Sequence, residues 1–433
     1  MLLYYYPPIG GIGSARTLRL AKNLPELGWE PLVLTVSERT LAAVPCDVSS
    51  GDLPGVRVFR TRNPDLAFRA KRLAGLDIST NVEAVRAMES MPGQRRAGAA
   101  ARASDLLGIP DRFIDWAPFA RRAAMDICRM YSPRLIFTSS PPESCHLVAA
   151  SLRSSTGLPW LADMRDPWVH KFNMPRSDIP GKITAWLEHR TLPKADAITV
   201  VSDSIAADIQ ERLGLDAKTI PNSYDEDAFA SASPVVEDCF NLLYAGTLYY
   251  PDQDPRPVFR ALAGMRRSGR DISRLTVSFA GKDISVAQSL ARNEGVEDRV
   301  EMLGLLTHEE AMAREKGAGA LLYLQVVAES GSDIVSKGPT GKLIEYFGAG
   351  RPVLALQPLP GPVDDLIHET GAGVVARDAT GVRAVFERWL DEFESTGKVA
   401  FQAPAGLRRY GSKATAEAMA SLFDDVAAGG RGC

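Results

Sequence analysis

The segment "SKGPTGKLIEYFGAGRPVLAL" (336–356) decides how the rest of the chain is read. Gly338-Pro339-Thr340-Gly341 is turn chemistry, and Thr340 is placed to cap a helix. The spacing predicts a helix from Lys342 to Ala349, ended by Gly350, with Pro352 opening a buried strand. A helix start with free N–H groups beside a lysine can hold an anion. Glu345 falls one turn inside, where a carboxylate can accept hydrogen bonds from a vicinal diol such as a ribose. The same residues also fit an ordinary capped helix whose acid is favoured by the dipole.

On both sides of this segment, short Val-, Ile- and Tyr-rich runs alternate with amphipathic stretches of helix length. Strands are expected at 2–6, 31–36, 56–60, 134–138, 159–163 and 196–201, and again at 241–246, 275–280, 299–303, 319–324, 352–356 and 373–376. Several are apolar throughout, as parallel strands covered on both faces are. The chain has 433 residues, whereas single cores stop growing at roughly 250–300. The expected fold class is therefore α/β, with two doubly wound, Rossmann-like domains facing an interdomain cleft. The polar, proline-containing stretch "ASASPVVEDCF" (230–240) marks the boundary. This divides the chain into residues 1–232, residues 233–405, and a C-terminal helix at 406–433 that returns to the first domain.

The opening "PPIGGIGSARTL" (7–18) resembles a dinucleotide fingerprint but is not one, because Arg16 occupies the third glycine position. Gly11 and Gly13 would let the backbone approach a ligand closely, and Ser14 can cap the following helix. A tight turn with no ligand is the alternative. Residues 61–122 break the strand–helix rhythm. Counted from Arg60, they hold twelve Lys or Arg against seven Asp or Glu. They read as a helical insertion, either solvated or facing anionic lipid headgroups.

A net charge of -3 excludes a nucleic-acid binder of the whole-protein type. The five cysteines, Cys46, Cys128, Cys145, Cys239 and Cys433, are scattered and suggest buried thiols in a reducing cytoplasm rather than a disulfide framework. No signal peptide or membrane span is expected. Asp225-Glu226-Asp227 and Asp252-Gln253-Asp254 match a metal-binding DxD pattern, but neither has partner ligands at a recognisable spacing, so no metal is expected. His170 is the histidine nearest the expected site; His146, His189, His308 and His368 read as surface or cap residues.

The ordered set of segments resembles the retaining family 4 glycosyltransferases of the GT-B fold. Besides 336–356, it includes "PPIGGIGSARTLRLAKNLPELGWEPLVLT", "PWLADMRDPW", "ADAITVVSDSIAADI", "TIPNSYDEDAF", "NLLYAGTLYY" and "GPVDDLIHETGAGVVA". The similarity is weakest over 61–122. The resemblance implies that Glu345 binds the ribose of a nucleotide-sugar donor and that Thr340, Gly341 and Lys342 face its diphosphate. It also places Gly246 and Thr247 beneath the diphosphate, Gly281 and Lys282 at the cleft, and Leu303 and Gly304 near the base. Gly11 and Gly13 would approach the donor from the first domain.

The chain departs from that pattern in three places. Lys337 stands where many relatives carry a glutamate, eight residues before the ribose-binding one. The loop "TLYYPDQDP" lacks the usual Arg and Lys, so Lys337, Lys342, Lys282 or the helix dipole must meet the phosphate charge. The catalytic histidine of many relatives is replaced by Asp163, Arg165 and Asp166. Asp163 or Asp166 would handle the acceptor hydroxyl, with Arg165 holding charge or geometry; a buried structural Asp–Arg pair is the alternative. The implied activity is sugar transfer to an acceptor hydroxyl, with no cofactor beyond the donor. The implied acceptor is a sugar, glycan or lipid-linked molecule. A nucleotide-sugar epimerase of the same architecture and a non-catalytic scaffold are the rivals.

Overall fold

The computed structural model describes residues 1–9, 12–37, 53–64, 108–169, 179–326 and 340–429. The chain forms two compact units, one of residues 1–221 and 415–433 and the other of residues 222–414.

In the first unit all paired strands are parallel. β1 (Leu32–Val36) pairs with β2 (Arg57–Thr61), and β3 (Ile136–Ser140), β4 (Trp160–Met164), β5 (Ala197–Val200) and β6 (Lys218–Thr219) run in that order. The expected strand at 2–6 is reduced to isolated bridges, with Leu2 meeting both Leu34 and Thr138. That segment still joins β1 to β3, because the Leu2 N–H donates to Phe137 and the Leu3 N–H to Leu34. The chain therefore builds outward from residues 1–4 in both directions, which puts a topological switch point beside β3. Around the sheet lie α1 (Ile12–Asn23), α2 (Ala117–Tyr131), α3 (Ser144–Thr156), α4 (Ile179–Thr191) and α5 (Asp203–Leu213).

β4 is buried at every position, as a central parallel strand must be. Residues 65–107 of the expected insertion lie outside the described residues. The end of that stretch is not insertion: Phe113, Trp116 and Ala120 are buried in the sheet-facing core.

The second unit is a six-stranded parallel sheet ordered β12-β11-β10-β7-β8-β9. Its strands are β7 (Phe240–Ala245), β8 (Leu275–Ala280), β9 (Val300–Gly304), β10 (Ala320–Leu324), β11 (Val353–Leu356) and β12 (Gly373–Ala376). Its helices are α6 (Glu226–Ser231), α7 (Arg256–Arg267), α8 (Ser285–Asn293), α9 (His308–Gly317), α10 (Gly341–Ala349), α11 (Pro362–Thr370) and α12 (Ala379–Thr396). The strand order reverses between β7 and β10, so the crevice beyond their carboxyl ends is where a ligand of such a sheet binds.

The division falls at Pro221/Asn222, upstream of the 232/233 boundary expected from composition. The reason is packing: Tyr224 and Phe229 are buried in the same core as Phe347 and Tyr410, all in the second unit. The last helix, α13 (Ser412–Ala427), starts in the second unit, where the Glu226 carboxylate accepts the Ser412 N–H at 2.7 Å and its Oγ at 2.6 Å. Residues 405–410 also belong to the second unit, so the return begins at Thr415 rather than at 406. From there the helix buries Ala416, Met419, Ala420 and Phe423 in the first unit, with the Phe423 ring 5.3 Å from Trp29 and 5.5 Å from Phe137. Among the described residues no helix is long and apolar enough to cross a membrane.

Candidate functional site

The second unit gathers its candidate residues on one edge, the carboxyl ends of its strands. β7 is followed by Gly246 with φ +129°, and β8 by Gly281 with φ +127°, backbone conformations that side chains resist. A Cβ added to Gly281 would stand 2.2 Å from the Gly246 carbonyl oxygen. The Gly246 N–H donates to Ala280, and the Gly281 N–H donates to Gly304 at the end of β9. Leu303 precedes that glycine on the outer strand. Lys282 accepts the Leu248 N–H through its carbonyl, and the Thr247 carbonyl accepts the Tyr244 hydroxyl at 2.6 Å. Backbone bonding thus fixes three successive loops.

Over this floor lies the start of α10. Thr340 is the N-cap residue, although its hydroxyl makes no cap bond, and Gly341 is buried as the first helical residue. Gly350 ends the helix with φ +65°. Lys342 runs back across Gly246 to the face of Tyr244, its Nζ 3.8 Å from the ring centroid. A Cβ on Gly246 would stand 2.6 Å from the Lys342 Cε, so this path needs glycine. Among the described residues no carboxylate lies within ion-pair distance of that Nζ. Burial pulls the Lys342 pKa down to about 7, against the opposing pull of Glu315. Tyr346 ties α10 to β7, its hydroxyl accepting the Ala245 N–H at 2.9 Å. Glu345 lies half-buried on the same helix. Lys337 and Gly11 lie outside the described residues.

The first unit centres on Asp163, which is wholly buried on β4. Its in-register neighbours Ser139 on β3 and Thr199 on β5 both donate to it, at 2.7 and 2.9 Å. Arg16 completes the set as a fork, Nε at 3.0 Å and Nη2 at 2.8 Å. Burial alone would raise the Asp163 pKa, but the Arg16 charge and these hydrogen bonds outweigh it and lower it. The Asp–Arg pair of this segment is thus made with Arg16, not with Arg165. Its four-bond shell leaves Asp163 poorly placed to take a proton from an incoming hydroxyl.

Arg165 instead lies against α1. Its Nε donates to Ser140 at 3.0 Å, its Nη2 donates to Pro141, and an added Cβ on Gly13 would stand 2.1 Å from its Nη1. Gly13 therefore makes room for a guanidinium at the first turn of α1. Ser14 does not cap that helix: it lies within it, buried, with its Oγ unpartnered among the described residues. Asp166 is exposed beside Arg165.

Residues 10–223 match the family model described as Glycosyl transferase 4-like domain. Sucrose-phosphate synthase from Thermosynechococcus elongatus superposes with a TM-score of 0.61 at 16% identity, covering 99% of each chain. A glycosyltransferase from Rickettsia africae ESF-5 gives 0.58 at 13% identity over 98% of this chain and 97% of its own. HepE from Anabaena, solved with UDP and glucose, gives 0.54 at 14% identity over 98% of both chains. No curated protein sequence matches significantly.

Residues 10–223 are a glycosyl transferase 4-like domain, in a chain with the GT-B glycosyltransferase fold.

Three residues of this glycosyltransferase carry more of the site than its sequence disclosed. Arg16 read only as the residue that spoils a fingerprint, yet it is the clamp on Asp163. His146 read as a surface or cap residue, yet it is wholly buried between the Trp160 and Trp168 rings, and burial pulls its pKa down to about 3. Its Nδ1 meets Thr138 at 2.8 Å. Glu315 carried no motif; it is an acid only 6% exposed beneath α10. Asp225 is a helix cap, accepting the Asp227 and Ala228 N–H groups, and Asp254 pairs with Arg256. Among the described residues no group of three His, Cys, Asp or Glu could hold a metal ion.

Proposed function

We propose that this glycosyltransferase moves a sugar from a nucleoside diphosphate sugar to an acceptor hydroxyl, with retention and without a metal. The observation that carries the reading is Lys342: a cation at a helix start, at the switch point of the second unit, with no carboxylate partner among the described residues. In this reading Lys342 and the α10 N–H groups meet the diphosphate as it departs with negative charge. They stabilise a transition state of oxocarbenium character electrostatically. Glu345 accepts the ribose hydroxyls, and the glycines of the floor, with Thr247, Lys282 and Leu303, form the bed of the donor. The first unit takes the acceptor. Asp166, exposed and outside the Arg16 clamp, handles its hydroxyl, and Arg165 fixes the loop around it. The UDP and glucose bound to HepE support a donor of this class. Retention follows from the family 4 resemblance.

Thermal shift with UDP, GDP and ADP and their glucose conjugates tests the reading, because a ligand of the native state raises the melting temperature. We expect one nucleotide to do so. Glu345→Ala should raise that donor's KM by about ten- to a hundredfold, the cost of bonds to a charged acceptor. An unchanged KM sinks the ribose assignment. A free epimerised sugar nucleotide among the products would favour the epimerase, and binding without turnover the scaffold.

The reading also places the enzyme in the cytoplasm, against an anionic membrane surface, in glycan, polysaccharide or glycolipid synthesis. The basic residues of 65–107 lie outside the described residues, but α4 supports the membrane contact independently. Ile179 and Trp186 are 69% and 58% exposed, and Lys182, His189 and Arg190 share their face of the helix. An exposed tryptophan flanked by cations suits a lipid headgroup layer. We expect the protein to sediment with phosphatidylglycerol-containing vesicles, to be released by salt, and to lose binding in a Lys182→Glu, Trp186→Ala, Arg190→Glu variant. Equal sedimentation of that variant would remove α4 from the contact.

A further inference from the structure

Gln325 and Gln357 follow two neighbouring strands, β10 and β11, at the carboxyl edge of the second sheet. The parallel register sets Leu324 beside Leu356. The ladder then runs one residue further, since the Gln325 N–H donates to Leu356 at 3.1 Å and the Gln357 N–H to Ala376 at 2.9 Å. The two glutamines are therefore neighbours, about 5 Å apart in the hydrogen-bonding direction. Alternation puts them on the face of Tyr323 and Ala355, which share a core with Leu343 and Ile344 of α10 and Val363 of α11. β7, whose following glycine Lys342 crosses, is the next strand after β10.

Both glutamines are buried, Gln325 at 4% and Gln357 at 0% exposure. Among the described residues the Gln325 Oε1 and both amide atoms of Gln357 make no hydrogen bond. Such groups destabilise a fold, and native proteins hold few of them. Gln253, at the same edge, shows the ordinary case. Its Nε2 donates to the Leu324 carbonyl, and its Oε1 accepts from the Tyr244 hydroxyl and the Tyr249 N–H. The main chain of Gln357 is fixed as well, its carbonyl accepting from Arg377 at 3.1 Å.

We propose that Gln325 and Gln357 are specificity-determining residues of this enzyme, their amides taking neighbouring hydroxyl groups of the transferred sugar. The inference rests on the donor reading of this edge. A hydroxyl both donates and accepts, so two of them meet the Gln325 Oε1 and the Oε1 and Nε2 of Gln357 together. A phosphate or carboxylate does not suit the pair, because it has no proton for the two amide oxygens. Arg377 beside them is committed to Asp364 and to the Gln357 and Leu359 carbonyls.

Gln325→Met and Gln357→Met in the full chain test this by separating sugar from nucleotide. Methionine keeps the length and drops the polar atoms. The free nucleoside diphosphate that wins the thermal-shift comparison should bind both variants within about threefold of wild type. For its sugar conjugate, kcat/KM should fall by about ten- to a hundredfold, the scale of a buried hydrogen bond lost. Wild type should reject a donor deoxygenated at the hydroxyl these amides take, and the variants should reject it less. Without ligand, the melting temperature of the variants should hold or rise. A glutamine that only supports the fold does the opposite: its loss lowers the melting temperature and weakens nucleotide and conjugate alike. That result, or variants with wild-type kcat/KM, overturns the inference and leaves the donor site standing. So does equal turnover of every deoxygenated donor by wild type, a measurement that needs no variant. A wild type indifferent to UDP, GDP, ADP and their glucose conjugates overturns the donor reading and this inference with it.

Discussion

Replacing Asp163 with alanine is expected to cost the first unit about 3–5 kcal/mol, the usual penalty for breaking a buried ion pair. The loss falls on three partners together. Arg16 would keep a guanidinium buried with, among the described residues, only the Pro221 and Ile220 carbonyls to accept from it, and Ser139 and Thr199 would lose their acceptor. Urea unfolding followed by tryptophan emission reads this directly, because five of the six tryptophans, Trp29, Trp116, Trp160, Trp168 and Trp186, lie in the first unit. An Arg16→Met, Asp163→Leu pair should recover much of the loss, since apolar residues of similar volume often replace a buried pair without cost.

The sign of the pH dependence follows from the lowered Asp163 pKa. The carboxylate contributes stability above its unfolded value of about 3.9, and that contribution disappears as pH falls through the lower folded value. The wild type should therefore lose stability below about pH 4 more steeply than Asp163→Asn does. Parallel acid limbs for the two proteins would show that the clamp does not hold a charged aspartate.

Lys342→Met is expected to lower kcat by about a hundred- to a thousandfold, the scale on which one preorganised charge at a departing group is felt. Methionine keeps the length of the stem that crosses Gly246, so the floor should survive and the melting temperature should move little. The pH profile gives a second signature. With its pKa near 7, Lys342 loses its charge in the range where activity is measured, so wild-type donor binding weakens on the alkaline side. The variant should lack that Lys342 step. A Lys342→Met enzyme with wild-type turnover would move the phosphate charge to other donors, Lys282 or the α10 N–H groups.

The sequence disclosed the roles of Asp163 and Lys342 unequally. The second unit was legible because its signals are local. A Gly-Pro-Thr-Gly turn, an amphipathic turn of helix and a proline-opened strand lie within twenty-one residues, and the helix runs from Gly341 to Ala349 with Gly350 as its left-handed cap. Strand alternation likewise placed eleven of the twelve sheet strands, while Lys218–Thr219 is too short to give a periodic signal. The first unit's chemistry is non-local. Asp163 and Arg16 are 147 residues apart, and only the parallel register of β3, β4 and β5 brings Ser139 and Thr199 to the same carboxylate. A sequence read by spacing pairs Asp163 with its neighbour Arg165. Glu315 was invisible for another reason: a polar residue in a helix reads as surface, and burial beneath α10 is a tertiary fact. The unit boundary was misplaced because composition marks where a chain is flexible, whereas Tyr224 and Phe229 decide where it packs.

The path of α13 also bears on how the molecule is made. The second unit is one continuous run, residues 222–414, whereas the first is assembled from both termini. Phe423 and Met419 fill space against Phe137, Trp29 and Leu20 in one buried cluster. On the ribosome, domains usually mature in the order in which they emerge. Here the order is inverted: the later-synthesised unit can close first, while the amino-terminal half waits, its sheet bared along one side, until α13 has been added.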